Sequence, residues 1–304
     1  LMGNALGGLQ ETWVIPHTYN ALFDKLKDPP GEEILIIQGG ILDDNTAEFL
    51  PIWQAEGYAD AISEEGYYTL ELRSSDGDTL YQTKFSLDSG WPGDSAIFAH
   101  QVPFMPGTAS VVILEGTQVI GKLDRSSYSP EVQIVSQPVF VDETSVSISW
   151  TGTDLDNDTL TYSLHYQCDD PTFWFTLAAD LTETNYSIDL SGLPGGGSCK
   201  IRVMASDGFN TAETKSDSFG VQAKIPEVQI LNEETVFPIG EQIFLDGLAF
   251  DLEDGILPNE SLHWFSDVDG DLGIGRIVSV ILSPGIHNLS LQARDADGNS
   301  SIAQ

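Results

Sequence analysis

The stretch SVSISW, residues 145–150, decides the fold, because apolar and hydroxyl side chains alternate along it without a break. Successive side chains of a β-strand point to opposite faces, so this pattern predicts a strand that buries Val146, Ile148 and Trp150 on one side. The same period of two recurs after residue 30, whereas apolar spacing typical of a helix occurs only at residues 18–27. The sequence therefore predicts an all-β chain after one short N-terminal helix.

Two regions of the chain predict β-hairpins. Residues 68–85 contain two alternating segments around an Asp-Gly pair, and residues 111–120 contain two around a Glu-Gly pair. A glycine at such a position supplies the positive φ that a tight turn between antiparallel strands needs. Both hairpins indicate a β-sandwich in the first third of the chain.

The phrase Pro-Glu-Val-Gln-Ile occurs twice, beginning at Pro130 and again at Pro226, 96 positions later. About 100 residues is the size of one β-sandwich, so the repeat marks the starts of two successive modules. The predicted organisation is an N-terminal segment followed by three tandem immunoglobulin-like or fibronectin type III-like β-sandwiches. The predicted ranges are residues 1–28, 29–129, 130–223 and 224–304. Joints of only a few residues predict a semi-rigid rod.

The composition is strongly acidic, with 12 Lys and Arg against 47 Asp and Glu in 304 residues and a net charge of −35. A nucleic-acid binder needs a basic face, and anionic lipid would repel this surface, so the charge argues against both partners. No apolar run approaches the roughly 18 residues of a membrane span, which argues against membrane insertion. Few lysines and many acids fit an extracellular prokaryotic protein or one from a saline setting.

Residues 130–223 resemble a fibronectin type III domain. That family has a core Trp on the second strand, which Trp150 matches, and a Leu-x-Pro-Gly turn followed by the Tyr of a tyrosine corner. Here the turn lies at residues 193–195, and Cys199 stands at the Tyr position. Residues 224–304 resemble an Ig-like or cadherin-like module. Its closing strand is predicted to be missing, because few residues follow the acidic turn at 295–298; truncation or a strand from a partner would account for this.

The fibronectin-like interpretation predicts a disulfide between Cys168 and Cys199. In such a sandwich the third strand, about residues 161–168, pairs with the sixth, about residues 199–205. Each cysteine shares the parity of the apolar residues of its strand, so both point to the same inner face. The bond would replace the missing tyrosine corner and indicate an oxidising compartment. Two buried free thiols are the alternative.

The first residues carry a second resemblance. Leu1-Met2-Gly3 and the phrase Trp-Val-Ile-Pro-His-Thr-Tyr at residues 13–19 resemble the end of the catalytic domain in secreted metzincin-type zinc peptidases. The resemblance places Met2 at the Met-turn beneath the zinc. It also implies that the zinc ligands and the general base lie upstream of residue 1, so this chain by itself is not an enzyme. A generic linker with one helix is the alternative.

Acidic turns are the candidate metal sites. Alternate carboxylates in one turn supply several of the six to eight oxygens that calcium takes. None of these turns has the Gly and Glu positions of an EF-hand loop, and Asp and Gly are also ordinary turn residues. The candidate calcium ligands fall in three turns: Asp154, Asp156 and Asp158; Asp251, Glu253 and Asp254; and Asp267, Asp269 and Asp271.

The sequence contains candidate residues for binding sugars and candidate sites for attaching them. Trp91 and Trp174 could stack on sugars, although aromatic residues of sandwiches more often lie in the core. Candidate N-glycosylation sequons begin at Asn157, Asn185, Asn259, Asn288 and Asn299.

Together these patterns predict a non-catalytic, extracellular or cell-surface array that spaces, anchors or presents an upstream zinc-peptidase-like domain. The five histidines form no His-Glu-x-x-His frame, and the sequence has no Gly-x-Ser-x-Gly elbow or P-loop. Apart from the candidate calcium no cofactor is required, and the predicted partner is a protein or a cell-surface polymer. One alternative is a subunit of a surface layer, sheath or filament that self-associates through an open sheet edge. The other is a carbohydrate-binding array.

Overall fold

The computed structural model describes residues 31–87, 96–170, 173–232 and 236–304. Within these ranges the chain forms strands β1 to β24 and one three-residue 3-10 helix, Asn259–Ser261. The predicted all-β class is therefore confirmed, while the predicted helix at residues 18–27 and the predicted Met-turn at Met2 lie outside the described residues. No helix in the described part of the chain is long and apolar enough to cross a membrane.

The described residues form two compact units. Unit 1 contains those up to Ile188 together with Lys200–Ser218, and unit 2 contains Asp189–Cys199 and Phe219–Gln304. The boundaries of the three predicted sandwiches stay predictions. Each sheet is nevertheless built from strands that lie within a single predicted range.

The first sandwich consists of two four-stranded sheets that pack face to face in unit 1. In one sheet β6 pairs along one edge of β1, while β2 and β3 pair along the other; the second sheet has the order β5-β4-β7-β8. Leu35 and Ile37 of β1 share one buried core with Leu70 and Leu72 of β4. The strands are β1 (Glu32–Ile41), β2 (Ala47–Phe49), β3 (Trp53–Gly57), β4 (Tyr68–Arg73), β5 (Thr79–Phe85), β6 (Ala96–Pro103), β7 (Ser110–Glu115) and β8 (Gln118–Asp124).

Both predicted hairpins are present in this sandwich. β4 pairs antiparallel with β5, and β7 pairs antiparallel with β8. Gly77 has a φ of 88° and Gly116 a φ of 59°, values that a residue with a side chain rarely adopts. The two acid-glycine pairs therefore fix the registers of these strands.

The second sandwich buries the face that the SVSISW stretch predicts. Val146, Ile148 and Trp150 of β10 are buried, and Trp150 packs edge-on against Tyr162 of β11 with ring centroids 5.6 Å apart. One sheet has the order β13-β10-β9 and the other the order β12-β11-β14-β15. The strands are β9 (Glu131–Phe140), β10 (Ser145–Thr153), β11 (Thr161–Cys168), β12 (Phe175–Leu181), β13 (Asn185–Asp189), β14 (Gly196–Ser206), β15 (Thr211–Lys215) and β16 (Phe219–Val221).

The predicted disulfide is present. Cys168 at the end of β11 and Cys199 in β14 are the two cysteines of the chain, and both are disulfide-bonded. Because the bond closes a loop of about 31 residues, it restricts the unfolded chain and contributes roughly 3–4 kcal/mol in the chain-entropy model.

The third sandwich lies in unit 2. β17, β19 and β22 pair with β18, and the second sheet has the order β21-β20-β23-β24. Leu245 and Ala249 of β18 share a buried core with Trp264 of β20 and Leu291 of β23. The strands are β17 (Glu227–Ile230), β18 (Ile243–Asp251), β19 (Gly255–Ile256), β20 (Leu262–Ser266), β21 (Gly270–Ile274), β22 (Ile277–Val280), β23 (Leu289–Arg294) and β24 (Ser300–Ala303).

The expectation that the closing strand of this sandwich is missing is wrong. β24 pairs antiparallel with β23, from Ala303 opposite Leu291 to Ser300 opposite Arg294. Gly298, with a φ of 91°, turns the chain back directly after β23, so four residues suffice to cover the edge.

Candidate functional site

The first and second sandwiches are joined in unit 1 by an apolar seal made of Ile34, Ile36, Trp53 and Met204. Ile34 and Ile36 lie on the face of β1 opposite to its core face, and both are completely buried. Met204 of β14 is 2% exposed and belongs to the same cluster. β1 is therefore buried on both faces, because the second sandwich covers the face that would otherwise meet solvent.

Hydrogen bonds run alongside this seal. The hydroxyl of Ser206 donates to the carbonyl of Ile52 over 2.8 Å, and the backbone N–H of Gln54 donates to Thr211 Oγ1 over 3.0 Å. The N–H of Ile52 donates to the carbonyl of Gly208 over 3.0 Å. Paired polar groups beside a cluster that excludes water fix both the position and the orientation of the strands that carry them.

The side chain of Asn210 holds linker 1, the residues 125–130 between β8 and β9. Its Nδ2 donates to the carbonyls of Ser126 and Tyr128 over 3.1 and 3.0 Å, and its Oδ1 accepts from Arg125 Nε over 2.7 Å. Asp207 Oδ1 accepts the N–H of Asn210 and so fixes the turn that carries it. Asn210 is 1% exposed, so a buried neutral amide supplies the donors for two linker carbonyls. No local pattern around Asn210 indicates this role.

Acidic turn 1, residues 154–158, gathers the first predicted set of carboxylates beside the same linker. One oxygen of each of Asp154, Asp156 and Asp158 lies within 4.8 Å of the others, and Asp156 and Asp158 are exposed. The hydroxyl of Ser126 lies 2.7 Å from Asp156 Oδ2 and 2.6 Å from Asp158 Oδ2, and the N–H of Tyr128 donates to Asp156 Oδ2 over 2.9 Å. The hydrogen bond from Ser126, followed by that from Tyr128, lowers the pKa of Asp156.

Acidic turn 2, residues 251–254, holds linker 2, the residues 222–226 that lead into β17. Glu253 Oε1 accepts the N–H of Lys224 over 3.1 Å and also accepts the N–H of Gly195. Asp251 Oδ1 accepts the N–H groups of Glu253 and Asp254 over 2.9 and 3.0 Å, which fixes the turn. The second predicted set therefore anchors backbone N–H groups far away in the sequence.

Three carboxylate oxygens around acidic turn 2 are buried and accept no hydrogen bond: Asp251 Oδ2, Glu253 Oε2 and Asp295 Oδ2. Asp251 is 1% exposed and Asp295 is 8% exposed. Burial, together with the adjacent Asp251 carboxyl, raises the pKa of Glu253. Asp295 belongs to the acidic turn at residues 295–298, where its Oδ1 accepts the N–H of Asn299 over 2.7 Å, and it was not among the predicted calcium ligands.

Of the three predicted sets, only the first forms a group of ligand atoms within 4.8 Å in the described part of the chain, so neither the second set nor the third, residues 267–271, is brought together in this way. Asp267 accepts both the N–H and the side-chain amide of Asn288 over 2.8 Å, and Asp269 accepts the N–H and hydroxyl of Ser283. Asp271 accepts from the ring of His263 at 3.0 Å. These hydrogen bonds lower the pKa of each carboxyl, so each charge is already stabilised locally. Calcium at any of the three turns stays a prediction.

The remaining predicted residues differ in their surroundings. Trp174 is half-buried, with the guanidinium of Arg202 4.7 Å and the amine of Lys215 5.7 Å from its ring centroid, so cations occupy the aromatic surface. Trp91 lies outside the described residues. Among the sequons, Asn157, Asn185 and Asn259 are exposed, whereas the side-chain amide nitrogens of Asn288 and Asn299 donate to Asp267 and to the Lys224 carbonyl.

Solved structures of other proteins are similar to this chain at low sequence identity. No family model matches the chain, and no curated protein matches it. The chain is similar to solved fibronectin(III)-like modules of CbhA from Clostridium thermocellum, with 17% identity over 57% of this chain and 90% of that one and a TM-score of 0.24. It is also similar to the N-terminal four Ig domains of Dscam1 isoform 7.44, with 8% identity, 85% and 75% coverage and a TM-score of 0.30.

A second Dscam structure, solved for isoform specificity, is 11% identical over 85% of this chain and 76% of that one, with a TM-score of 0.26. At such TM-scores the assignment of the fold rests on the strands and cores described above. None of these likenesses concerns a zinc peptidase, so the origin predicted for residues 1–28 stays a prediction.

Proposed function

We propose that this chain is a non-catalytic, extracellular array of β-sandwiches that holds a neighbouring domain or binding surface at a fixed position. The observation that carries the proposal is the seal between the first and second sandwiches. Flexible tethers leave domain surfaces solvated, whereas here Ile34, Ile36 and Met204 are withdrawn from water between two modules. Such a contact stabilises one orientation of the two modules, which is what a spacer requires.

An extracellular location is supported by the disulfide between Cys168 and Cys199, because structural disulfides persist in oxidising compartments. The net charge of −35 also suits a protein that must stay soluble outside the cell. A zinc-peptidase-like domain upstream is the neighbour that the resemblance of residues 13–19 favours. The proposal of a spacer holds for any neighbour, because it depends on the seal alone.

The two alternative functions have less support in the structure. Self-association was predicted from an open edge in the third sandwich, and β24 occupies that edge. Sugar stacking was predicted from Trp91 and Trp174, and Arg202 and Lys215 lie against the ring of Trp174. The spacer role is therefore the function that the geometry supports best.

Nuclear spin relaxation of the whole 15N-labelled chain tests the proposal. Strands of the first and second sandwiches that lie in unit 1 should report the same rotational correlation time, because the seal joins them. A variant with Met204→Ala and Asn210→Ala should separate the two values, while the exposed control Val139→Ala should not. Different correlation times in the native chain would contradict the proposal, as would cleavage of casein by the purified chain supplied with zinc.

A further inference from the structure

We propose that His165 makes the joint between the first and second sandwiches sensitive to acid, because the seal is stable beside a neutral ring and is weakened when the ring takes up a proton. The switch rests on the proposed spacer role, since it regulates the same joint. It is carried by a histidine that is completely buried on the face of the second sandwich that the first sandwich covers.

His165 lies on the outer face of the sheet that contains β11 and β14. Cys168 of β11 is bonded to Cys199 of β14, and both are buried, so these two residues mark the inner face. Alternate side chains of a strand point to opposite faces, which places His165 and Met204 on the outer face. Met204 joins the seal, so the outer face of this sheet is the one that meets the first sandwich.

The strand that carries His165 runs between two strands that contribute to the seal. β11 lies between β12 and β14 in the sheet. Met204 of β14 belongs to the seal, and Ala179 of β12 packs against it. Ser163 and His165 of β11 are both completely buried, although an outer face of an isolated sandwich would meet solvent. Opening of the joint would therefore bring water to the ring of His165.

The ring of His165 is held by two hydroxyl groups. Its Nε2 lies 2.9 Å from Ser163 Oγ, and its Nδ1 lies 3.3 Å from Thr176 Oγ1. In a neutral imidazole one nitrogen donates and the other accepts, and a hydroxyl can serve either one. A protonated ring donates from both nitrogens and gains no negative charge from a hydroxyl. These two contacts therefore suit the neutral ring.

The charged groups on the neighbouring strands are mainly cationic. Arg202 of β14, with 12% of its side chain exposed, lies on the outer face, and its Nη1 is 3.5 Å from Glu213 Oε2. Lys200 precedes Arg202 by two positions on the same face. Lys215 lies opposite Arg202 on β15, with its amine 2.9 Å from Glu213 Oε1. A proton on His165 would add a further positive charge to a group that has one carboxylate.

The other elements packed around β11 present little charge to the ring. β12 places Thr176 opposite His165, and Asp180 follows four positions later in that strand. β1 presents Ile34 and Ile36 to the sheet at the seal. The acids of β1 and β3 lie at exposed positions: Glu32, Glu33 and Glu56. Burial, followed by the charge of Arg202, lowers the pKa of His165 well below its ordinary value of 6.5.

Proton linkage fixes the direction of the effect. The closed joint disfavours the proton on His165, whereas a ring exposed by opening takes it up near its ordinary pKa of 6.5. The closed joint therefore has its full stability above pH 6.5, and this stability is lost as the pH falls from there through the folded-state pKa. One proton taken up on opening makes the open joint about tenfold more populated for each pH unit within that window.

Amide hydrogen exchange of the whole chain at about pH 8 and about pH 5 tests the switch. The protection factors of the Ile52 and Gln54 amides, which donate across the joint, should fall about thirtyfold between these conditions. In His165→Gln, whose side chain is neutral at both values, they should hardly change. The control His100→Gln replaces a histidine that packs on Phe85 and whose pKa is also lowered by burial, and it should keep the native pH dependence.

The outcomes separate the switch from the spacer role. Protection of Ile52 that is high at both pH values would overturn the switch and leave the spacer role intact, whereas weak protection at both would contradict the spacer role itself. A native pH dependence in His165→Gln would also overturn the switch. If this variant does not fold, the native chain provides the test through the Gly247 amide of the third sandwich, which donates to the Arg276 carbonyl over 3.0 Å. Its protection should change far less than that of Ile52, and an equal loss at both amides would overturn the proposal.

Discussion

Linker 1 and linker 2 are each held by an acidic turn, yet the two turns lie in different surroundings. Two residues after its first Asp, each turn has a carboxylate that accepts a linker N–H: Asp156 from Tyr128 and Glu253 from Lys224. Around linker 1 Asp156 and Asp158 are exposed and Asp154 is half-buried, and the buried partner of the linker is the neutral amide of Asn210. Around linker 2 Asp251 is buried and Glu253 is half-buried.

The difference shows that a similar motif acquires a different electrostatic state from its environment. Water and diffuse ions compensate the exposed carboxylates of Asp156 and Asp158. Burial and the adjacent Asp251 carboxyl instead raise the pKa of Glu253. Linker 1 is held in addition by the neutral amide of Asn210.

The largest effect is expected from breaking the seal between the first and second sandwiches. Met204→Ala removes a side chain that is 2% exposed between the first and second sandwiches, and we expect a loss of about 2–5 kcal/mol in the free energy of unfolding. Urea denaturation measures this loss. The control Val139→Ala, at a position 55% exposed on β9, should stay within about 0.5 kcal/mol. Equal small effects would show that the seal contributes nothing.

A smaller effect is expected from Asn210→Ala. The change leaves the carbonyls of Ser126 and Tyr128 without their donor, which costs about 1–3 kcal/mol when such groups are buried. Thermal unfolding should show this destabilisation equally in calcium and in chelator, because the amide carries no charge. Asn185→Ala, at an exposed position, is the matched control. Equal stability of Asn210→Ala and Asn185→Ala would contradict the role assigned to the Asn210 amide.

The smallest effects are pH dependences of opposite sign at the two turns. The raised pKa of Glu253 contributes stability below its ordinary value of 4.5, and this stability is lost as pH rises through the folded-state pKa. The lowered pKa of Asp156 contributes stability above its ordinary value of 3.8, and this stability is lost as pH falls.

Unfolding measured in chelator checks both signs. The difference between the native chain and Glu253→Gln should fall with rising pH, whereas the difference between the native chain and Asp156→Asn should grow. Two differences that change with pH in the same direction would remove the proposed contrast between the turns.

Much of the fold could be predicted because a strand with one buried face shows a regular alternation of apolar and polar side chains. The alternation around Trp150 and the two acid-glycine turns predicted the strands and hairpins that are present. The run at residues 34–37 shows no period, because β1 is buried on both faces by partners far along the chain. The closing strand β24 was missed because a four-residue edge strand directly after a glycine turn carries little pattern of its own.

From the sequence, the candidate site could be narrowed only to several acidic turns, without a reason to prefer one of them. Residues 154–158 and 267–271 present similar acids at similar spacing, and their difference comes from donors such as Ser283 and Asn288 elsewhere in the chain. Asn210 is an ordinary turn residue in the sequence, and its partner Ser126 lies 84 positions away. Burial and long-range donors decide the chemistry of each site, and neither is encoded in local spacing.

Amide hydrogen exchange of the whole chain tests the seal between the first and second sandwiches most directly. The Ile52 and Gln54 amides donate to Gly208 and Thr211 beside the seal, so both should exchange slowly in the native chain. Met204→Ala should speed the exchange of both amides, whereas the control Val139→Ala should leave it unchanged. Equal exchange of the Ile52 amide in the native chain and in Met204→Ala would contradict the seal.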